Sequence, residues 1–179
     1  MNLSATKQVI EHLVQHGGRG KGWFHQHQDP RPLDAQSIHA LTLPDARPLP
    51  PSLREWLAFD ASWFRLAKGT PPELEVRPLR DILTGWSRSM TMNAPTAESF
   101  TEEQLVQAWV DLLPDPTMAN ALALELLPSG SQEHLLLFHK ANRRGEYPVL
   151  GCHNRFEFWL KYKSFGDYLS HYFGLSEPD

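Results

Sequence analysis

Between residues 147 and 173 the spacing of the apolar residues switches from that of a strand to that of a helix, and few folds accommodate the switch. Phe156, Phe158, Leu160 and Tyr162 alternate with Glu157, Trp159 and Lys161, the pattern of a strand with one face in a core. Ser164 is then placed to cap a helix in which Phe165, Tyr168, Leu169, Tyr172 and Phe173 share a side, before Gly174 ends it. A helix with that much apolar surface, arriving straight from a strand, has to fold back onto the sheet, and the aromatic face of the strand is the nearest cover. The block defines architecture and contains no catalytic group.

Upstream, apolar runs at 121–127, 134–139 and 147–152 are separated by Pro128-Ser129-Gly130 and by the turn-forming stretch 142–145. With 156–162 they predict four successive strands joined by short connections, hence an antiparallel meander. Several helices precede them. Ser4 opens one with Ile10, Leu13 and Val14 as its stripe and Gly17-Gly18 as its stop. Ser52 with Glu55 reads as a capping box before Leu53, Trp56 and Leu57, ending near Asp60. A short strand at 73–77 leads to Pro78, which opens a helical turn carrying Leu79, Ile82, Leu83 and Trp86, and 87–99 reads as a loop. Thr101 with Gln104 forms a second capping box, with Phe100 and Leu105 as its hydrophobic staple; Leu105, Ala108, Trp109 and Leu112 are the predicted buried stripe. The whole predicts an α+β fold with an antiparallel-rich sheet of about four to six strands packed against several helices and closed by the C-terminal helix.

At 179 residues the chain is expected to form a single domain, 1–179, with an N-terminal helix over 1–17, an irregular section over 18–48 and the main α+β body over 49–175. In the irregular section a short strand is expected at 22–27 or 37–43. No long apolar run occupies the first thirty residues, which predicts neither a signal peptide nor a membrane helix, and the lone Cys152 suits a reducing compartment, so a cytoplasmic location is expected. The formal net charge of -4 disfavours nucleic acid as a partner, and its distribution is uneven. No lysine or arginine stands between Arg88 and Lys140, where Glu98, Glu102, Glu103, Asp111, Asp115, Glu125 and Glu133 lie, whereas 140–163 is basic. Two readings stay open: a partner-facing acidic patch, or opposite charges that meet once the chain folds.

Few residues fall in a pattern that chemistry requires. His25, His27 and Asp29 offer metal-ligand residue types on an extended segment, but no third and fourth ligand can be assigned by spacing. Cys152-His153 are neighbours that a strand points to opposite faces. The glycines at 17–22 lack the spacing of a phosphate-binding loop and follow a helix. No G-x-S-x-G or H-E-x-x-H occurs. No catalytic, metal or cofactor-binding residue is therefore nominated, no cofactor is expected, and the chain is not expected to be an enzyme. Trp56, Trp109 and Trp159 fall at core spacing, while Trp23-Phe24 and Trp63-Phe64, outside clear periodic elements, and Trp86, followed by Arg88 at the mouth of the polar stretch, are candidates for partner contact.

Two blocks carry a family resemblance. Leu49-Pro50-Pro51-Ser52-Leu53-Arg54-Glu55-Trp56-Leu57 resembles an early helix, and Tyr147-Pro148-Val149-Leu150 with 158–162 and Ser164-Phe165-Gly166-Asp167-Tyr168-Leu169 resembles the final strands and helix, of the SUKH superfamily, the fungal cell-wall assembly regulator-like fold. Where that family commonly turns on Asn-Gly after the early helix, this chain has Asp60-Ala61-Ser62-Trp63-Phe64. The resemblance implies a non-enzymatic cytosolic bacterial immunity protein that binds and neutralises a cognate polymorphic-toxin domain, as a monomer or weak dimer. Because nucleases have basic substrate surfaces, a toxin with such a surface would be steered towards the acidic stretch. The interface residues expected on this reading are Trp63, Trp86, Arg88, Glu98, Glu102, Glu103, Asp111 and Asp115. The alternatives are a regulatory scaffold that binds a host protein and a small histidine-using, metal-dependent hydrolase.

Overall fold

The computed structural model describes residues 4–16, 30–64, 74–93, 100–126 and 132–176, the side chains of 91–93 excepted. Its strands are β1 (Val76–Pro78), β2 (Leu122–Glu125), β3 (Gln132–Phe138), β4 (Val149–His153) and β5 (Glu157–Tyr162). They form one five-stranded antiparallel sheet in the order β1-β2-β3-β4-β5, the expected meander with the segment before the fourth helix added at one edge. The helices are α1 (Ala5–His16), α2 (Ala35–Ala40), α3 (Pro51–Phe59), α4 (Leu79–Asn93), α5 (Glu102–Asp111) and α6 (Phe165–Tyr172), with 3-10 turns at Ser62–Phe64 and Pro116–Asn120. The architecture is α+β, as expected.

The sheet is buried on both faces. Leu136 and Phe138 of β3, with Leu124, Val149 and Tyr162 from the other strands, pack against α1, α3 and α6. The alternate residues Leu135 and Leu137, with Ala123, Leu150, Cys152 and Phe158, pack against α4 and α5. Strand side chains point alternately to the two faces, so β3 must be apolar at consecutive positions, and 134–138 are all buried.

One residue breaks the alternation in β5. Leu150 pairs with Leu160 but the adjacent Val149 pairs with Tyr162, so Lys161 is an extra residue, a β-bulge. The expected shared face of Phe156, Phe158, Leu160 and Tyr162 is therefore not formed. Phe158 lies on the α4–α5 side and Tyr162 on the α6 side, where its ring sits 5.8 Å from that of Tyr168, while Phe156 and Leu160 are exposed. The Lys161 side chain turns inward across Gly151, where a Cβ would come within 3.2 Å of its Cδ, and hydrogen-bonds Gln132 and His134 on β3. A bulge and an inward-turned charge both blunt an edge strand against pairing with another chain.

Other expectations change in the helices. Proline at 50 takes the N-cap position of α3 and Pro51 its first turn, where a fixed φ and a missing N–H cost nothing. Ser52 consequently does not cap the helix; it donates its N–H (2.9 Å) and its hydroxyl to the Glu146 carboxylate. Glu55 instead accepts from the Ser4 hydroxyl at 2.6 Å, and Ser4 caps α1 as expected. In α1 Val14 is exposed, and Thr6, Val9 and Leu13 are buried. Over 35–40 the chain is helical and not extended, capped by Asp34, with an isolated bridge between Thr42 and Pro48; the alternative strand at 22–27 and the stop at Gly17-Gly18 lie outside the described residues. Asp60 is wholly buried and accepts from the backbone N–H of Arg31 (2.9 Å) and of Ser62 (2.8 Å), so a carboxylate organises the turn after α3. Helix α4 continues through the polar stretch read as a loop, to Asn93.

α1 packs against both α6 and α3. At the α1–α6 crossing a Cβ on Gly166 would stand 2.7 Å from Thr6 Oγ1 and 3.2 Å from Thr6 N, so only glycine permits the approach. Gly166→Ala should destabilise the protein by about 1–3 kcal/mol in urea or thermal melts, despite alanine's better helix propensity. Adding Thr6→Ala should restore part of the loss by removing the nearer of those atoms.

His134 supplies a second test. It is buried on β3 between the Tyr162 and Tyr168 rings (5.8 and 5.3 Å), with Lys161 Nζ 3.4 Å from its Nε2 and His171 also acting on it, and among the described residues its Nδ1 has no hydrogen-bond partner. Burial first, then the neighbouring Lys161 and His171, lowers its pKa from 6.5 to about 4. The unfolded chain takes up this proton as pH falls through 6.5 and the folded protein does not until about 4. This stabilisation is thus complete above that window, is lost across it by roughly 3 kcal/mol, and changes little below it. Chemical denaturation between pH 7.5 and 4 should show that slope, and His134→Leu should flatten it.

Candidate functional site

Of the eight expected interface residues, the seven that are described do not form one surface. Trp86 is 7% exposed and lies between α4 and the sheet, its ring stacked 6.5 Å from Phe158 and its Nε1 donating to Glu125 at 3.2 Å. The Arg155 guanidinium lies 5.4 Å from the Trp86 ring and reaches Glu133 at 3.4 Å. Trp63 belongs to the other core: it is half-buried, 5.0 Å from both Trp56 and Tyr172 and 5.9 Å from Phe173. Both tryptophans thus pack against the protein's own cores, Trp63 from the 3-10 turn after α3 and Trp86 from the middle of α4. Glu98 lies outside the described residues.

The charged members divide further. Arg88 on α4 donates to Glu102 at the start of α5 through Nε (2.9 Å) and Nη2 (3.2 Å), and this contact raises the arginine's pKa. Asp115 caps the turn at Pro116–Asn120 through the Thr117 hydroxyl and N–H, which lower its pKa, and Lys140 stands 4.0 Å away. Glu125 pairs with Arg77 at 2.7 Å, and Glu133 with Arg155. For four of the seven acidic residues, opposite charges do meet on folding. Glu103 and Asp111 remain on the outer side of α5, where Asp111 accepts a hydrogen bond from Gln107 at 2.9 Å.

Helix α5 begins as expected, with Thr101 and Gln104 forming both halves of a capping box at 3.2 and 2.9 Å. Its buried stripe differs: Val106, Trp109, Val110 and Leu113 face inward, while Ala108 and Leu112 are exposed and Leu105 is half-buried. Phe100 does not act as a buried staple and is 64% exposed; Leu112 is 48% exposed. These two large apolar residues, absent from the sequence-based interface, flank α5, Phe100 just before its N-cap Thr101 and Leu112 at its C-cap. Glu103, Gln107 and Asp111 follow one another at four-residue spacing on the exposed side of α5.

A concave region, about 670 Å³, lies where the first turns of α1, α3 and α6 converge, lined among others by Thr6, Ser52, Arg143, Arg144, Lys163 and Gly166. Each helix start carries its own carboxylate: Glu55 on Ser4, Glu146 on Ser52, and Asp167 on Ser164 at 2.8 Å. The positive ends of the helix dipoles are thereby neutralised from within. Burial raises the Glu146 pKa against the lowering effect of its Ser52 hydrogen bonds. The cleft joins three helices to the turn before β4, and the internal carboxylates occupy the positions an anion would seek.

Among the described residues no group of three or more His, Cys, Asp or Glu side chains is arranged to hold a metal ion. His25, His27 and Asp29 lie outside them. Cys152 is buried on β4, and burial pushes its thiol up to about 12, so its environment does not generate a thiolate. Among the described residues no helix is long and apolar enough to cross a membrane.

No protein-family model and no curated protein matches the chain. The crystal structure of an uncharacterized protein from Salmonella enterica serovar typhimurium is similar, with a TM-score of 0.56 at 21% sequence identity over 97% of this chain and 78% of that one. At that identity the likeness extends to the fold alone.

Proposed function

We propose that this chain is a non-catalytic binding protein of the SUKH type, an immunity protein that occludes a cognate toxin domain in the bacterial cytosol by stoichiometric association. The observation that carries the reading is the meeting of the two blocks on which the family resemblance rests. Residues 49–57 supply α3 and residues 164–169 the start of α6, over a hundred positions later, and the two helices pack together with Trp56 and Phe173 rings 5.8 Å apart. Segments that resemble one family and also build one core support common ancestry of the fold more strongly than either does alone.

The described residues also favour binding over catalysis. The strongly shifted groups, His134, Cys152 and the tyrosines of the α6 layer, are held inside the protein by packing, where no substrate reaches them. The exposed acid on α5 suits a partner with a basic surface, as a nuclease toxin would present, and nucleic acid itself would be repelled.

The direct test is to mix the purified chain with the protein encoded by the adjacent gene at micromolar concentration. Size-exclusion chromatography with light scattering should show a one-to-one complex, and the partner's activity should fall in proportion to the chain added. Separate elution with undiminished activity would count against neutralisation and leave a regulatory scaffold as the better reading.

A further inference from the structure

We infer that His12 and His16, one turn apart on α1, form a two-imidazole site for a divalent late transition metal such as zinc, with water completing the coordination. The inference goes beyond the binding reading above and does not depend on it.

The spacing supplies the frame. Residues four apart on an α-helix share a side and stand about 6 Å apart along its axis. Here the two rings are stacked, with centroids 4.3 Å apart and an interplanar angle of 26°. Zinc–nitrogen bonds of about 2.0 Å at a tetrahedral angle place two ligand nitrogens roughly 3.3 Å apart. Rings at the observed separation reach that span by small side-chain rotations. His16 is exposed and His12 half-buried, so an ion arrives from solvent on the His16 side.

The hydrogen bonding of the pair decides which nitrogens are available. His16 Nδ1 lies 2.9 Å from the His12 carbonyl oxygen. A carbonyl only accepts, so Nδ1 carries the hydrogen, and in the neutral ring the lone pair is left on Nε2. Metal-ligating histidines are held in the same way, with the second ring nitrogen donating to a backbone carbonyl or a carboxylate. On His12, Nε2 is shielded from water and has no hydrogen-bond partner among the described residues. A buried ring nitrogen left without a partner is costly. A metal bond at this atom supplies what the surrounding side chains do not.

Charge points the same way. His16 lies in the last turn of α1, where unpaired carbonyls form the negative end of the helix and favour a cation. The stretch 9–16 contains no lysine or arginine to compete, and it carries one carboxylate, Glu11. Imidazole donors select zinc, copper and nickel over magnesium and calcium, which prefer oxygen. An ion shared by His12 and His16 closes one helical turn. Val9 and Leu13 of that stretch pack into the core with α3 and α6, so metal bound to the folded helix stabilises the chain by mass action.

The test titrates the full chain with zinc chloride and follows the imidazole nitrogens by nitrogen-15 NMR, which resolves these two rings among the nine histidines. The His12 and His16 signals should move together, and the thermal midpoint should rise with zinc but not with magnesium. His16→Gln, at an exposed position, should weaken this binding about tenfold or more and cancel the shift at His12. Val14→His combined with His16→Gln keeps the number of histidines but puts the second ring on the other side of the helix. Val14 is 69% exposed, so the fold tolerates the change, and this variant should bind no better than His16→Gln alone. Signals of His12 and His16 that stay in place at about 1 mM zinc would overturn the inference, even where other histidines shift. Undiminished zinc binding at His12 in either variant would overturn it as well.

Discussion

Burial of both faces of an antiparallel sheet is the constraint on which the rest of this structure depends. Antiparallel sheets commonly keep one face wet and alternate apolar with polar residues. Here Leu135 and Leu137 look one way and Leu136 and Phe138 the other, so two helical layers are needed. The chain supplies them from different regions: α1, α3 and α6 for one face, α4 and α5 for the other. Each layer then has a distinct character. The first is dense in aromatics, tied together by glycine at 166 and by carboxylates on the helix starts. The second is thinner and its outer surface carries exposed apolar and acidic residues.

The bulge at Lys161 lets the final strand serve both layers. Phe158 closes the α4 side against Trp86, and two positions past Leu160 the extra residue turns Tyr162 towards α6. Without it, Tyr162 would continue on the face of Phe158 and Leu160, and α6 would lose the Tyr162 ring beside Tyr168. Lys161 gains a place of its own by folding over Gly151 to Gln132 and His134, which guards the sheet edge.

These particulars show what was legible in the sequence. The strand order followed from four apolar runs with short connections, and the starts of α1, α5 and α6 from Ser4, Thr101 and Ser164, because those signals are local. The bulge was not legible, since strict alternation at 156–162 reads as an unbroken strand and only pairing with β4 reveals the shift. The α5 stripe was displaced for a related reason. Leu105, Trp109 and Leu112 are as periodic as Val106, Trp109, Val110 and Leu113, and the sheet face decided between them. Ser52 and Glu55 have the spacing of a capping box, but Glu146 and Ser4, distant in sequence, took up their hydrogen bonds. At the candidate interface the acidity of the stretch was visible while its partial neutralisation by Arg77, Arg88, Lys140 and Arg155 was not, because most of those partners lie remote in the chain. Phe100 was read as a staple on spacing alone, and its exposure could be learned only from the fold.

Aromatic contacts in solution report on both the two-faced sheet and its bulge. A NOESY spectrum of the full chain should connect the Phe158 ring to Trp86 and the Tyr162 ring to Tyr168, whose centroids lie 6.5 and 5.8 Å apart. Contacts from Tyr162 to Trp86 or Trp109, with none to Tyr168, would mean an unbulged strand with one inward face, and would contradict the arrangement of both layers.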